Sequence, residues 1–151
     1  MGHLRDSIHI DAPVEKVDKF TDDPHNWPTF MEGMGAPDKV TGDGGVGTEV
    51  EFTVIMAGVR LHETSRVVEE RRDPDGGSHV RFDIVGPMPA WQTWDLKPEN
   101  GGSLVSVEME YTLPGSVLGK VADRLVGEKM GERDIHHGLE NLKLLMESSP
   151  S

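Results

Sequence analysis

The apolar positions of this chain change period twice, and the changes divide it into three parts. Over residues 4–11 they alternate, with Leu4, Ile8 and Ile10 on one face and Arg5, Ser7 and His9 on the other. That is the pattern of a half-buried strand, and Asp6 is its one misfit. Asp11 then offers an N-cap acceptor ahead of Ala12 and Pro13, and Val14, Val17 and Phe20 follow at helical spacing. A short helix is predicted there, ending near Asp22, Asp23 and Pro24. The stretch 25–31, punctuated by proline and carrying Trp27, Phe30 and Met31, predicts a second short helix.

The middle of the chain has a period of two. Strand-length segments at 48–57, 59–71, 79–85, 90–97 and 103–113, with a weaker one at 37–41, are separated by clusters of Gly, Pro, Asp and Asn. That spacing predicts consecutive antiparallel strands joined by hairpins. After Pro114 and Gly115 the period lengthens. Leu118, Val121, Leu125, Ile135, Leu139, Leu142 and Met146 fit one amphipathic helix over 116–147. Gly119, Gly127, Gly131 and Gly138 each weaken that helix by up to about 1 kcal/mol relative to alanine. They call either for close packing of its backbone on the sheet or for room beside a ligand. The order is therefore strand, two short helices, six strands and one long helix, in a single α+β domain spanning 1–151 with its core at about 4–147. A single rod cannot fill the concave side of a strongly curved sheet, so a cavity is predicted between them.

Composition narrows the chemistry. The 151 residues hold 15 Lys and Arg against 27 Asp and Glu, a net charge of −12. Such a surface repels phosphate backbones, and no basic cluster offsets it, so nucleic-acid binding is excluded. Cysteine is absent, which removes disulfides, thiolate catalysis and cysteine-based metal sites. No apolar run is long enough for a membrane span, and the start of the chain lacks the apolar stretch of a signal peptide. A soluble, cytoplasmic protein is expected, as a monomer or a homodimer. Among the seven histidines, His136 and His137 are adjacent and diverge on a helix, so no metal site is predicted. His136 is a proton-transfer candidate if it faces the cavity. Neither a phosphate-binding loop nor a dinucleotide fingerprint is present, and no cofactor is implied.

Strand parity maps the cavity wall. Val50, Phe52, Val54 and Met56 point inward from one strand, Val80, Phe82 and Ile84 from another, and Val105, Val107, Met109 and Tyr111 from the last. In segment 59–71 the inner face carries Val59, Leu61, Glu63, Ser65 and Val67. An inward Glu63 either pairs with a neighbouring cation or holds a raised pKa suited to acid/base work or ligand anchoring. Segment 90–97 has two nearly balanced faces. The face with Ala90, Gln92, Trp94 and Leu96 is assigned inward because the other carries two charges, and Trp91 is placed near the mouth. Trp27, Phe30, Met31 and Met34 are expected to close the opening, and Ile135 to contribute from the helix.

The run Ser7 to Val17, SIHIDAPVEKV, resembles the first strand and Ala-Pro helix start of the START-type, helix-grip (SRPBCC) superfamily. Trp27-Pro28, Gly47-Thr48, the segment from Glu63 to Glu69 and the long terminal helix extend the resemblance over about 4–147. It implies a helix-grip fold: a curved antiparallel sheet of about seven strands around a long C-terminal helix. Within the superfamily the polyketide cyclase/dehydrase and coenzyme Q-binding-like branches are the nearest in pattern. The resemblance implies a cavity for a small hydrophobic or aromatic ligand, in either a cyclase/dehydrase-like enzyme or a non-catalytic carrier or sensor of lipids or quinones. From parity and chemistry, Glu63 and Tyr111 are the candidate catalytic groups. Trp27, Phe30, Phe52, Val54, Met56, Ser65, Phe82, Gln92, Trp94, Met109 and Ile135 are the candidate ligand-binding residues.

Overall fold

The computed structural model describes residues 2–121 and 123–148. Seven strands, β1 (Gly2–Ile10), β2 (Lys39–Thr41), β3 (Glu49–Met56), β4 (Val59–Arg72), β5 (Ser78–Val85), β6 (Ala90–Glu99) and β7 (Gly102–Tyr111), form one sheet. Its order is β1-β7-β6-β5-β4-β3-β2, and all neighbours are antiparallel. Only the β1–β7 pairing joins distant parts of the chain. The rest follows from hairpins such as the tight turn at Asn100 and Gly101, both at positive φ. A bulge between Val67 and Glu69 interrupts β4, the longest strand, and bulges bend strands and increase their twist.

Three helical expectations need revision. The helix predicted after Ala12 forms as α1 (Val14–Asp22), but Pro13 is its N-cap and no side chain caps it. Asp11 instead receives a hydrogen bond from His9. The second short helix is a 3-10 turn over Pro24–Thr29, with Asp23 accepting from the His25 amide at 3.0 Å. Pro28 inside it lacks the amide that a continuing helix needs. The single long helix is two: α2 (Gly115–Leu118) and α3 (Arg124–Ser148). The Gly119 amide closes α2 by donating to the Gly115 carbonyl at 2.9 Å. Part of the junction, Ala122, lies outside the described residues. The break shifts the apolar stripe, so that Val117 is buried while Leu125 is 60% exposed.

From Gly127 onward the apolar stripe behaves as its pattern demands: Ile135, Leu139, Leu142 and Met146 are buried. The helix lies along β1, and this explains the misfit in that strand. Asp6 takes an inward position and its carboxylate meets His136 Nδ1 of α3 at 2.9 Å. His136 also reaches Glu140 at 3.3 Å, and its ring is exposed. It does not face the cavity, contrary to the proton-transfer expectation. Hydrogen bonding to Asp6 raises its pKa.

The helix glycines mark close approaches. A Cβ on Gly127 would lie 2.7 Å from Leu113 Cδ1, one on Gly138 would lie 2.9 Å from Met31 Sδ, and one on Gly131 would lie 2.7 Å from the Tyr111 hydroxyl. Gly2 on β1 crowds the same ring, so Tyr111 is held between two residues that have no side chain. Gly131→Ala is therefore expected to destabilise the fold by about 1–2 kcal/mol despite its better helix propensity. Gly115→Ala, whose Cβ would meet nothing within 4 Å, should stay within about 0.5 kcal/mol of the parent. Urea midpoints for the two variants check both expectations.

Candidate functional site

Cross-strand register assembles the inner wall. Val50, Ser65, Ile84, Ala90, Tyr111 and Gly2 stand directly opposite one another in a row across six strands. A second row runs through Val67, Phe82, Gln92, Met109 and Leu4. The inward face assigned to β6 is therefore correct. Trp91 takes the outer face, away from the mouth, where Arg81 stacks on its ring at 4.7 Å and its indole donates to Glu110. The two charges that decided the parity, Asp95 and Lys97, share that outer face.

Between the wall and α3 lies a cavity of about 440 Å³. The wall residues Phe52, Val54, Met56, Glu63, Ser65, Phe82, Gln92, Trp94, Met109 and Tyr111 line it, Ile135 borders it from the helix, and Trp27 and Phe30 border it from the 3-10 segment. Met31 and Met34 also line it. Edge-to-face contacts fix the aromatic part: Trp27 meets Phe82 with centroids 5.7 Å apart, and Phe30 meets Trp94 at 6.2 Å.

Most of the polar groups in this lining are already satisfied. The Trp27 indole donates to the Thr21 carbonyl at 2.8 Å. The Trp94 indole donates to Gln92 Oε1 at 2.5 Å, and the Gln92 amide reaches Met109 Sδ at 3.4 Å. The Tyr111 hydroxyl donates to the Glu128 carbonyl of α3 at 3.1 Å, and burial pushes the phenol pKa up to about 12. To orient a ligand carbonyl, Tyr111 would first have to break its bond to Glu128, whereas the Gln92 amide, with one N–H on Met109 Sδ, keeps a second donor.

Two atoms stand apart. Glu63 is 1% exposed and Ser65 3%, and among the described residues Glu63 Oε2 and Ser65 Oγ are buried with no hydrogen-bond partner. Glu63 Oε1 accepts from the Met88 amide at 2.8 Å. Met88 belongs to the bend joining β5 to β6, whose Gly86 lies against Glu63 Oε2 so closely that any Cβ there would collide with it. Gly86 has φ +146°, and the bend folds over the carboxyl only because this residue is glycine. Burial raises the Glu63 pKa, opposed by the Met88 hydrogen bond and the nearby His62. The sequence pointed to the inward carboxyl through parity. The Gly86–Met88 cover was not legible there, because the turn cluster shows where the chain reverses and not what it reverses over.

A raised folded-state pKa means that the native protein binds more protons than the unfolded chain between the ordinary value of 4.5 and the folded value, so stability falls as pH rises through that window. Glu63→Gln removes this titration. The variant is expected to gain on the parent as pH rises from about 4.5 toward neutrality, with the difference levelling off above the folded pKa. Urea unfolding of both proteins across that range measures it, and parallel curves would contradict a raised pKa at Glu63.

Comparison with known proteins agrees with this geometry. The protein TTHA0849 of Thermus thermophilus superimposes with a TM-score of 0.76 at 21% identity, covering 99% of both chains. A START superfamily protein of Mycobacterium smegmatis gives 0.70 at 14% identity, over 98% of this chain and 99% of that one. The protein CV1439 of Chromobacterium violaceum gives 0.68 at 20% identity, over 99% of both. At these identities the likeness concerns the fold. No curated protein matches the sequence. Residues 1–147 match the family described as polyketide cyclase / dehydrase and lipid transport, and with its helix-grip sheet and largely apolar cavity the chain belongs to that family.

Proposed function

We propose that this protein takes a small hydrophobic molecule into the cavity and that Glu63 transfers a proton on it, as in a cyclisation or dehydration. The observation that carries this reading is the Glu63 carboxyl. One oxygen is fixed by the Met88 amide, the other is buried in the cavity wall with no partner among the described residues, and burial raises the pKa above the ordinary carboxyl value, the direction an acid/base role needs. The apolar and aromatic lining supplies the second requirement. It holds a flexible chain in one folded geometry, which lowers the entropic barrier to a single ring closure. Trp27, Phe52 and Trp94 shape that volume, and Ser65 adds a hydroxyl on the same strand face as Glu63.

A second reading, a non-catalytic carrier of the same kind of ligand, is favoured by the Tyr111 hydroxyl. Its proton is committed to the Glu128 carbonyl, so no partner acid next to Glu63 comes from that side of the wall.

Native mass spectrometry of the freshly purified protein, followed by extraction of whatever is bound, separates the two readings. Catalysis predicts that the parent converts a poly-β-ketone substrate and that Glu63→Gln still binds it but converts it at least about a hundredfold more slowly, the scale of a general acid/base contribution. Recovery of the same unchanged molecule from parent and variant, with equal occupancy, would establish the carrier and remove the catalytic role.

A further inference from the structure

The charges around the cavity are nearly all of one sign. Asp18, Asp22, Asp23, Glu32, Asp43 and Asp134 line it together with the buried Glu63, whereas among the described lining residues there is no lysine or arginine, and His25 is the only basic side chain. Some of these carboxylates are offset by neighbouring cationic or imidazole groups. Arg72 pairs with Asp18 and lies 3.8 Å from Asp22, and Asp23 and Glu32 sit beside His25 and His137. The balance at the opening is still negative: Asp22, Asp23, Glu32 and Asp43 are exposed there, and the charge of Asp23 adds to burial in raising the Asp22 pKa.

Among the described lining residues an anionic head group meets no lysine or arginine between the opening and the wall. The two unpartnered buried atoms ask for something else. Glu63 Oε2 accepts a hydrogen bond when ionised, while Ser65 Oγ both donates and accepts. They project from one face of β4 two residues apart, between Phe52 and Val50 of β3 on one side and Ile84 of β5 on the other. A ligand hydroxyl matches this pair, since it donates to the carboxylate and accepts from the serine. A carbonyl oxygen accepts from the serine but gives nothing to an ionised Glu63, and a carboxylate would face Glu63 with like charge.

We propose that the cavity selects an uncharged hydrophobic molecule bearing a hydroxyl group, phenolic or alcoholic, which binds Glu63 Oε2 and Ser65 Oγ, and that it rejects carboxylates and phosphates. The inference rests on the ligand-cavity reading above and adds the polarity of the ligand to it. A matched series of probes on one aromatic body tests it: naphthalene, 2-naphthol, 2-naphthoate and 2-naphthylmethylammonium, titrated into the full chain and followed by fluorescence of the cavity tryptophans and by calorimetry. The expected result is that 2-naphthol binds about tenfold or more tighter than naphthalene, the scale of a hydrogen bond to a charged group, and that 2-naphthoate binds more weakly than either. Glu63→Gln and Ser65→Ala are each expected to shrink the naphthol advantage to within about threefold. If either variant fails to fold, the parent series decides alone. Equal binding of naphthol and naphthalene overturns the hydroxyl anchor but leaves the cavity reading standing, as does tighter binding of the ammonium probe. Naphthoate binding as tightly as naphthol overturns the charge selection. Failure of all four probes to bind overturns the ligand-cavity reading and this inference with it.

Discussion

Helix α3 touches the sheet along one edge, and the cavity exists because of that restriction. The helix lies on β1, where Asp6 meets His136 and where Tyr111 of the neighbouring β7 fits between Gly2 and Gly131. From this seam the other strands curl away. A helix of ordinary diameter, about 10–12 Å with its side chains, cannot also reach β3, β4 and β5. Bulky side chains at positions 2 and 131 would prise the seam open. Closer packing elsewhere would need a flatter sheet than the β4 bulge and the strand twist allow.

The interior that results has two characters. Near the seam, Ile10, Val105, Leu139 and Leu142 are fully packed and form an ordinary core. Beyond it, the concave wall carries aromatic rings held edge to face and polar groups bonded to one another or to backbone carbonyls. Glu63 and Ser65 are the exception. A buried unsatisfied carboxyl costs several kcal/mol of desolvation unless something compensates it, and here a single amide from Met88 does so in part. A fold that keeps such a group retains a local instability, and sites of this kind are where ligand chemistry is found.

The division between what was readable and what was not follows the range of the interactions. Strand identity and facing rest on alternation within a few residues, and Glu63 is assigned inward because its neighbours Leu61 and Val67 are apolar while Arg60, His62 and Arg66 are polar or charged. The continuous helix over 116–147 failed for a related reason. Leu118, Val121 and Leu125 fit a stripe by spacing, yet that spacing carries no information about whether Gly119 ends one helix or merely weakens it. The Asp11 cap failed because His9 and the Glu147 carboxylate, which accepts from the Asp11 backbone amide, claim that residue from outside the local segment.

By itself the sequence determined the seven strands and their order, the inward face of each long strand, the absence of cysteine chemistry and an acidic surface, since periodicity, turn residues and composition are local properties. Only the tertiary structure decided which polar groups in the cavity are already bonded and which are not. The Trp94 bond to Gln92, the Tyr111 bond to Glu128 and the Met88 amide over Glu63 join atoms whose meeting depends on the curvature of the whole sheet and the seating of α3. Hydrogen-bond satisfaction is set by angles and distances of a few ångströms between elements far apart in the chain, and no one-dimensional pattern encodes them.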